Sequence, residues 1–241
     1  MNLDYSVLWG DPGLLIIQGL VITLKLSAWS LLIAFLIGLV FGIVRWLGFR
    51  LLEPLCWLYV EFARNTPPVV QILFWYFSAS YILPKWMFFQ LRDIGYEFGA
   101  AVLALAIYHG AFVAEIVRAG LNSIPKGQFE GARALGLSIP QVLRYVVLPQ
   151  AGRIVIPLLT NEATALIKNT SLAMAIGVTE LTYQYKYIDN FMFRGIEALT
   201  VITIVYLILC LLTAGIGAVA SRSLSRHVMR RTDRQAAMTS D

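Results

Sequence analysis

Between Leu14 and Val44 the chain carries one charged side chain, Lys25, and comparable apolar stretches recur at Pro54–Leu83, Phe98–Leu121, Ile154–Val178 and Ala198–Ala220. At 1.5 Å per residue, roughly 20 such residues cross a hydrocarbon layer of about 30 Å. Backbone N–H and C=O groups find no water there and must be satisfied within the segment. A helix achieves this, an open sheet does not, and the alternation that a barrel needs is missing. The reading is an all-α integral membrane protein with about five transmembrane helices. Composition agrees, because 59% hydrophobic and 14% charged residues in 241 cannot be concealed in one soluble core. The first stretch exceeds the length of a span, so its crossing is expected to start near Gly19 and run tilted.

Two stretches are interrupted by polar groups. Arg64-Asn65-Thr66-Pro67-Pro68 divides the second. A proline pair removes two backbone donors, so the helix should kink or begin afresh there. The fourth contains Thr160, Asn161, Glu162, Thr164, Lys168, Asn169, Thr170 and Ser171, a costly set at membrane depth that marks a pathway or an interhelical glue.

Lysine and arginine orient the chain. With the N-terminus outside, twelve of the 19 basic residues fall in inner segments, four in outer segments and three within spans. Basic residues are retained in the cytoplasm, which selects this topology, with the C-terminus and the basic tail of residues 222–241 inside. The pI near 9.3 then reflects inner loops and a tail suited to an anionic lipid surface, with no nucleic-acid partner expected.

Several chemistries lack their residues. Cys56 and Cys210 sit alone in apolar segments and read as small hydrophobes. His109 and His227 are too few and too far apart to suggest a metal site. No GxxxxGK[ST] motif is present, so nucleotide phosphates have no cradle of that kind. No cofactor is expected, nor a catalytic residue. No basic n-region precedes the first stretch, so no cleaved signal is expected. The chain reads as a single membrane domain over residues 1–241.

The inner loop of residues 126–150 is the most specific segment. Glu130-Gly131-Ala132 is followed three residues later by Gly136, then by nine residues and Val146-Val147-Leu148-Pro149. Glu130 to Leu135 favours a short helix, Gly136 can end it, and Pro140 opposes its continuation. This spacing resembles the EAA loop of the membrane subunits of ATP-binding-cassette importers. Glu61-Phe62-Ala63-Arg64-Asn65-Thr66-Pro67-Pro68 with Gln71, Glu115-Ile116-Val117-Arg118-Ala119-Gly120 with Ile124-Pro125-Lys126-Gly127-Gln128, and Ile167-Lys168-Asn169-Thr170-Ser171-Leu172 are similar to the polar amino-acid permeases of the type I importers, the histidine, glutamine and glutamate/aspartate systems. Gly131 stands where the family has alanine and Val146 where it has isoleucine.

The resemblance implies a type I importer transmembrane fold in a bacterial inner membrane. It also implies separate ABC ATPase subunits, a second permease subunit, identical or related, and an external solute-binding protein that delivers an amino acid. The chain would be a transport subunit and no enzyme. Gln128, Glu130, Gly131, Ala132, Arg133, Ala134, Leu135 and Gly136 would form the knob that seats in the ATPase. In the fourth span Glu162 and Asn169 are seven residues apart and share a helix face, with Ala165 between them leaving room for a ligand. In the family, the positions of Glu162 and Asn169 resemble a substrate pocket. An amide at 169, where an acid would suit a cation, leaves acidic or neutral substrates, and glutamate or aspartate is the expected one. Glutamine, histidine and other polar amino acids are alternatives; an ATP-independent carrier or channel is the rival from another class. Lys168 and Thr170 complete the candidate pathway with Arg64, for which two readings stand: binding the substrate carboxylate, or bracing the proline break by pairing with Glu61.

Overall fold

The computed structural model describes residue 5 and residues 10–238, with side chains as far as residue 223. Ten α-helices follow one another among these residues: α1 Asp11–Leu47, α2 Glu53–Arg64, α3 Pro68–Ile82, α4 Lys85–Asp93, α5 Tyr96–Asn122, α6 Lys126–Ala134, α7 Ile139–Val142, α8 Leu148–Asn169, α9 Leu181–Met192 and α10 Gly195–Met238. A π turn at Leu143–Val147 joins α7 to α8, and a 3-10 turn at Thr170–Ile176 follows α8. Four stretches are long and apolar enough to cross a membrane: α1, α5, Ile139–Ile176 and Gly195–Ser223. Where the fifth was expected the chain is divided into the 12-residue α2 and the shorter apolar α3 of 15 residues.

One boundary meets the expectation, the fresh helix at the proline pair, and two lie elsewhere than expected. α1 starts at Asp11, eight residues before Gly19, because Pro12 is preset for a helical first turn and Asp11 complements its positive end. The Pro67-Pro68 pair breaks the second span outright: Pro67 precedes α3 in an extended conformation with ψ 136°, and a new helix begins at Pro68. The fourth span tightens at Thr170 into a 3-10 turn and ends at Gly177, whose φ of 88° is left-handed.

α5 is the buried centre, and α1 lies along it. Ile16, Gly19, Thr23, Leu26, Ser27, Ser30, Ala34, Gly38 and Gly42 are all buried on α1, a seam of mostly small residues recurring at helical spacing. A Cβ on Gly38 would strike Val113, and one on Gly42 would come within 2.7 Å of the Ala114 carbonyl. The two helices therefore touch backbone to backbone. Because the partner numbers rise together, they run parallel, as they must if α2 and α3 return across the membrane between them. The outward faces of α1 and α10, including Leu32, Leu36, Leu207 and Leu211, are exposed and apolar, a surface suited to lipid.

Candidate functional site

Two polar groups of the fourth span meet on one histidine of α5. His109 is 1% exposed; its Nδ1 lies 2.5 Å from Glu162 Oε1. Its Nε2 lies 3.2 Å from Asn169 Nδ2. Glu162 and Asn169 do share a face of α8, as their spacing requires. The gap between them is filled by an imidazole from the neighbouring helix. An amide N–H at one ring nitrogen makes that nitrogen the acceptor, so Nδ1 carries the proton and donates it to the carboxylate.

Aromatic rings extend the cluster along α5. Tyr108 stands edge-on to His109 at 5.0 Å, and Phe112 tilts against Tyr108 at 5.1 Å. Arg64, at the end of α2, holds its guanidinium 5.5 Å from the Phe112 ring centre, within the range of a cation–π contact. Arg64 and Glu162, from two helices separated by almost a hundred residues, thus flank one aromatic face of α5.

The bracing role considered for Arg64 belongs to its neighbours. Asn65 Nδ2 donates to Glu61 Oε2 at 3.0 Å and to the Glu61 carbonyl at 2.7 Å. Thr66 donates to the Phe62 carbonyl at 2.5 Å. Pro67 cannot donate to the carbonyl of Ala63, four residues before it, and the buried Gln71 side chain does so at 2.8 Å.

Lys168 and Thr170 stand apart from the His109 cluster. Lys168 is exposed, on another side of α8 from Glu162. Thr170 is fully buried and its hydroxyl donates to the Ile167 carbonyl at 2.6 Å. It neighbours a different polar knot, in which the buried Glu180 carboxyl accepts from the N–H groups of Thr182 and Tyr183 and from the Tyr206 hydroxyl at 2.7–2.9 Å. That knot caps α9 and ties it to α10. Next to Asn169 in sequence, Thr170 points about 100° away from it around the helix and so meets other partners.

At the other end of the molecule the loop forms the expected knob. α6 begins at Lys126, directly after Pro125, four residues earlier than the helix expected from Glu130. Gly136 ends it with φ 82°. Its N–H bonds to the Arg133 carbonyl at 3.0 Å and that of Leu137 to the Ala132 carbonyl at 3.3 Å, a Schellman closure. Arg133 turns back on the same end, donating to the Leu137 carbonyl at 3.0 Å. Pro140 does not merely stop the helix; it lies in the first turn of α7, behind Ser138, whose N–H donates to the Gln141 side chain at 2.8 Å.

The knob has two faces. Ala132 is buried, with Phe129 and Leu137 packed among Val117 and Leu121 of α5, Trp46 of α1, Val147 of the π turn and Ala151 of α8. Gln128, Glu130, Gly131, Arg133 and Ala134 are exposed, and Leu135 is 83% exposed. Just above, Arg45 Nη1 lies 2.7 Å from Glu115 Oε2, while Arg118 bonds the other oxygen of Glu115. The Arg45 pair ties α1 to α5, and Arg118 braces Glu115 from within α5.

Residues 34–226 match the family model described as binding-protein-dependent transport system inner membrane component. The chain is 37% identical over 196 residues, 80% of either chain, to the glutamate/aspartate import permease protein GltJ of Escherichia coli. It is 38% identical over 213 residues, 88% of this chain and 93% of the relative, to the glutamine transport system permease protein GlnP of the same species. To the arginine transport system permease protein ArtQ of Bacillus subtilis it is 33% identical, over 94% of this chain and all of the relative. Among solved structures, an amino acid ABC transporter with histidines superposes with a TM-score of 0.77 at 30% identity, covering 92% of this chain and all of the other. A helical membrane-spanning chain with amino-acid ABC permeases as its relatives, it belongs to the family of inner-membrane components of binding-protein-dependent transport systems.

Proposed function

We propose that this chain forms the translocation pathway of an ATP-driven importer of polar L-amino acids, with glutamate or aspartate as its cargo. The single observation that carries the substrate reading is the arrangement of Arg64 and Glu162 about the aromatic face of Tyr108 and Phe112. A zwitterion needs a cation for its carboxylate and an anion for its ammonium, and these are the two groups at hand. One Glu162 oxygen is engaged by His109 and Asn169 is an amide, so no second carboxylate is left over for a basic side chain. Arg64 adds a positive charge that an acidic side chain can share.

The named relatives handle acidic, amide and basic amino acids, so similarity alone does not choose among them. The amide reading, glutamine, draws on the uncharged Asn169 and on the relative named for glutamine transport.

The coupling reading rests on the knob. Its exposed rim, from Gln128 to Gly136, would seat on an ABC ATPase, and its buried underside would pass the motion to α1, α5 and α8. ATP-driven closure of two ATPases would draw two knobs together, one from each permease subunit, and rock the packed helices from inward- to outward-facing. A solute-binding protein would then release the amino acid into the pore, and hydrolysis would reset it. In this reading the N-terminus would lie outside and the C-terminus in the cytoplasm, as the distribution of basic residues favours.

The test is competition for uptake in vesicles that hold the complete importer and its binding protein. Labelled L-glutamate should accumulate only with ATP, with excess L-aspartate competing well, L-glutamine weakly and L-arginine not at all. Preferential accumulation of arginine would sink the substrate reading, and accumulation without ATP would sink the importer reading.

A further inference from the structure

A carboxylate at membrane depth in an amino-acid pathway could hold a ligand's ammonium or a guanidinium, and the two make different demands. A guanidinium binds best as a fork, with two parallel N–H donors on the two oxygens of one carboxylate. An ammonium has three rotatable donors and is satisfied by a single oxygen. Glu162 Oε1 is held by His109 Nδ1 at 2.5 Å. The opposite ring nitrogen is engaged by Asn169, and the ring is boxed by Tyr108 and Phe112. With 1% of its side chain exposed, His109 cannot swing aside into solvent.

We propose that His109 is a specificity-determining residue: by occupying one oxygen of Glu162 it leaves a site that takes an α-ammonium and refuses the fork of a guanidinium side chain. The proposal deepens the reading of Glu162 as a substrate-pathway residue and rests on it. It assigns His109 no contact with the substrate; the imidazole acts through the carboxylate that it holds. It also gives Asn169 a task besides its lack of charge. The amide supplies a donor to Nε2, which keeps the ring proton on Nδ1, facing Glu162. Removing the imidazole would free both Glu162 oxygens and open the gap of two helical turns between Glu162 and Asn169.

Of the charges of α1, Lys25 lines an outer cavity with Glu97, and Arg45 sits on Glu115. The 3-10 turn Thr170–Ile176 contains no titratable side chain. Arg64 faces Phe112 and would meet the ligand's carboxylate at its other end.

The experiment uses the complete membrane complex, purified through a tag on this chain and held in nanodiscs without the solute-binding protein, so that the external filter is removed. Equilibrium binding of radiolabelled L-glutamate, L-glutamine and L-arginine is measured for the wild type, His109→Ala, His109→Gln and Glu162→Gln. His109→Ala should raise arginine affinity relative to glutamate by about tenfold, the scale of discrimination that one added ion-pair fork supplies. His109→Gln keeps an N–H for Glu162 and should preserve the wild-type order. A general packing defect would weaken all three ligands together and would not create a gain for one. If His109→Ala does not assemble, His109→Ser replaces it with the same expectation. An unchanged order in His109→Ala, with glutamate binding weakened in Glu162→Gln, overturns the role of His109 alone. Unchanged binding of all three in both variants removes Glu162 from the site and the proposal with it.

Discussion

The Gln71 side-chain amide donates to the Ala63 carbonyl at 2.8 Å, across the break between α2 and α3. That carbonyl is the one Pro67 cannot reach. Gln71 is 3% exposed, so the bond is made where water cannot substitute. It holds Arg64, one residue beyond Ala63, at the end of a defined helix and over the Phe112 ring. Replacing Gln71 with leucine should cost about 1–3 kcal/mol, the penalty of leaving a buried carbonyl unpaired. The expected outcome is a lower midpoint in thermal unfolding of detergent-solubilised protein and a weaker substrate KM, with Gln71→Glu no better because an ionised carboxylate cannot donate. Unaltered midpoint and KM in Gln71→Leu would show that the break holds Arg64 without this bond.

Gly136 has φ 82° and ends α6. Valine there would pay roughly 1–2 kcal/mol for the left-handed backbone and would unmake the Schellman closure. Gly136→Val should insert into the membrane normally, hydrolyse ATP when assembled and lose uptake. Transport at the normal rate, or no crosslink from Ala134 to an ATPase in the wild type, would remove the knob from the coupling route.

Leu135 offers a complementary test because it touches little of its own chain, being 83% exposed. Leu135→Asp should leave the thermal midpoint unchanged, since surface changes away from packed features typically stay within about 0.5 kcal/mol. It should nonetheless reduce the ATPase recovered with the tagged permease. Equal recovery would mean that the knob docks without this side chain.

Orientation is checked by reporters. A reporter active only in the periplasm should be silent when fused after Asp241 and active when inserted between α4 and α5, near Ile94. The motivation is the concentration of basic residues in the segments assigned to the cytoplasm. A signal from the C-terminal fusion would reverse the topology.

Asn169 and His109 should act as a coupled pair. Asn169→Asp places a second carboxylate beside Glu162 and removes the amide donor to the imidazole. The added negative charge should lower glutamate affinity more than glutamine affinity. In a His109→Gln background the cost of the same change to glutamate should differ by about tenfold, a non-additivity typical of contacting residues. Additive effects would separate the two residues.

Membrane insertion, helical class, the break at Pro67 and the capped knob all follow from short-range facts about the chain. Hydrocarbon demands apolar length, proline has no N–H, and glycine tolerates positive φ; each of these acts on neighbours in sequence, so each is visible along it. The shared face of Glu162 and Asn169 was legible for the same reason, since helical spacing is local. The small-residue seam of α1 was equally present in the letters, at Ser30, Ala34, Gly38 and Gly42, and a search for recurring small residues at steps of four would have found it.

What tertiary structure decided is which groups meet. His109 lies 53 residues from Glu162 and 60 from Asn169, and along the chain it read only as too isolated to suggest a metal site. The close approach of helices placed it between them. Arg64 and Asn65 both stood within reach of Glu61 by spacing, and only the turn of the chain at the break gave Glu61 to Asn65 and sent Arg64 toward Phe112. The sequence determined by itself that these side chains would lie in a membrane helix bundle, because transfer from water is a sum over neighbouring residues. Their partners depend on the packing of helices distant in sequence, a property of the whole fold that no single segment contains.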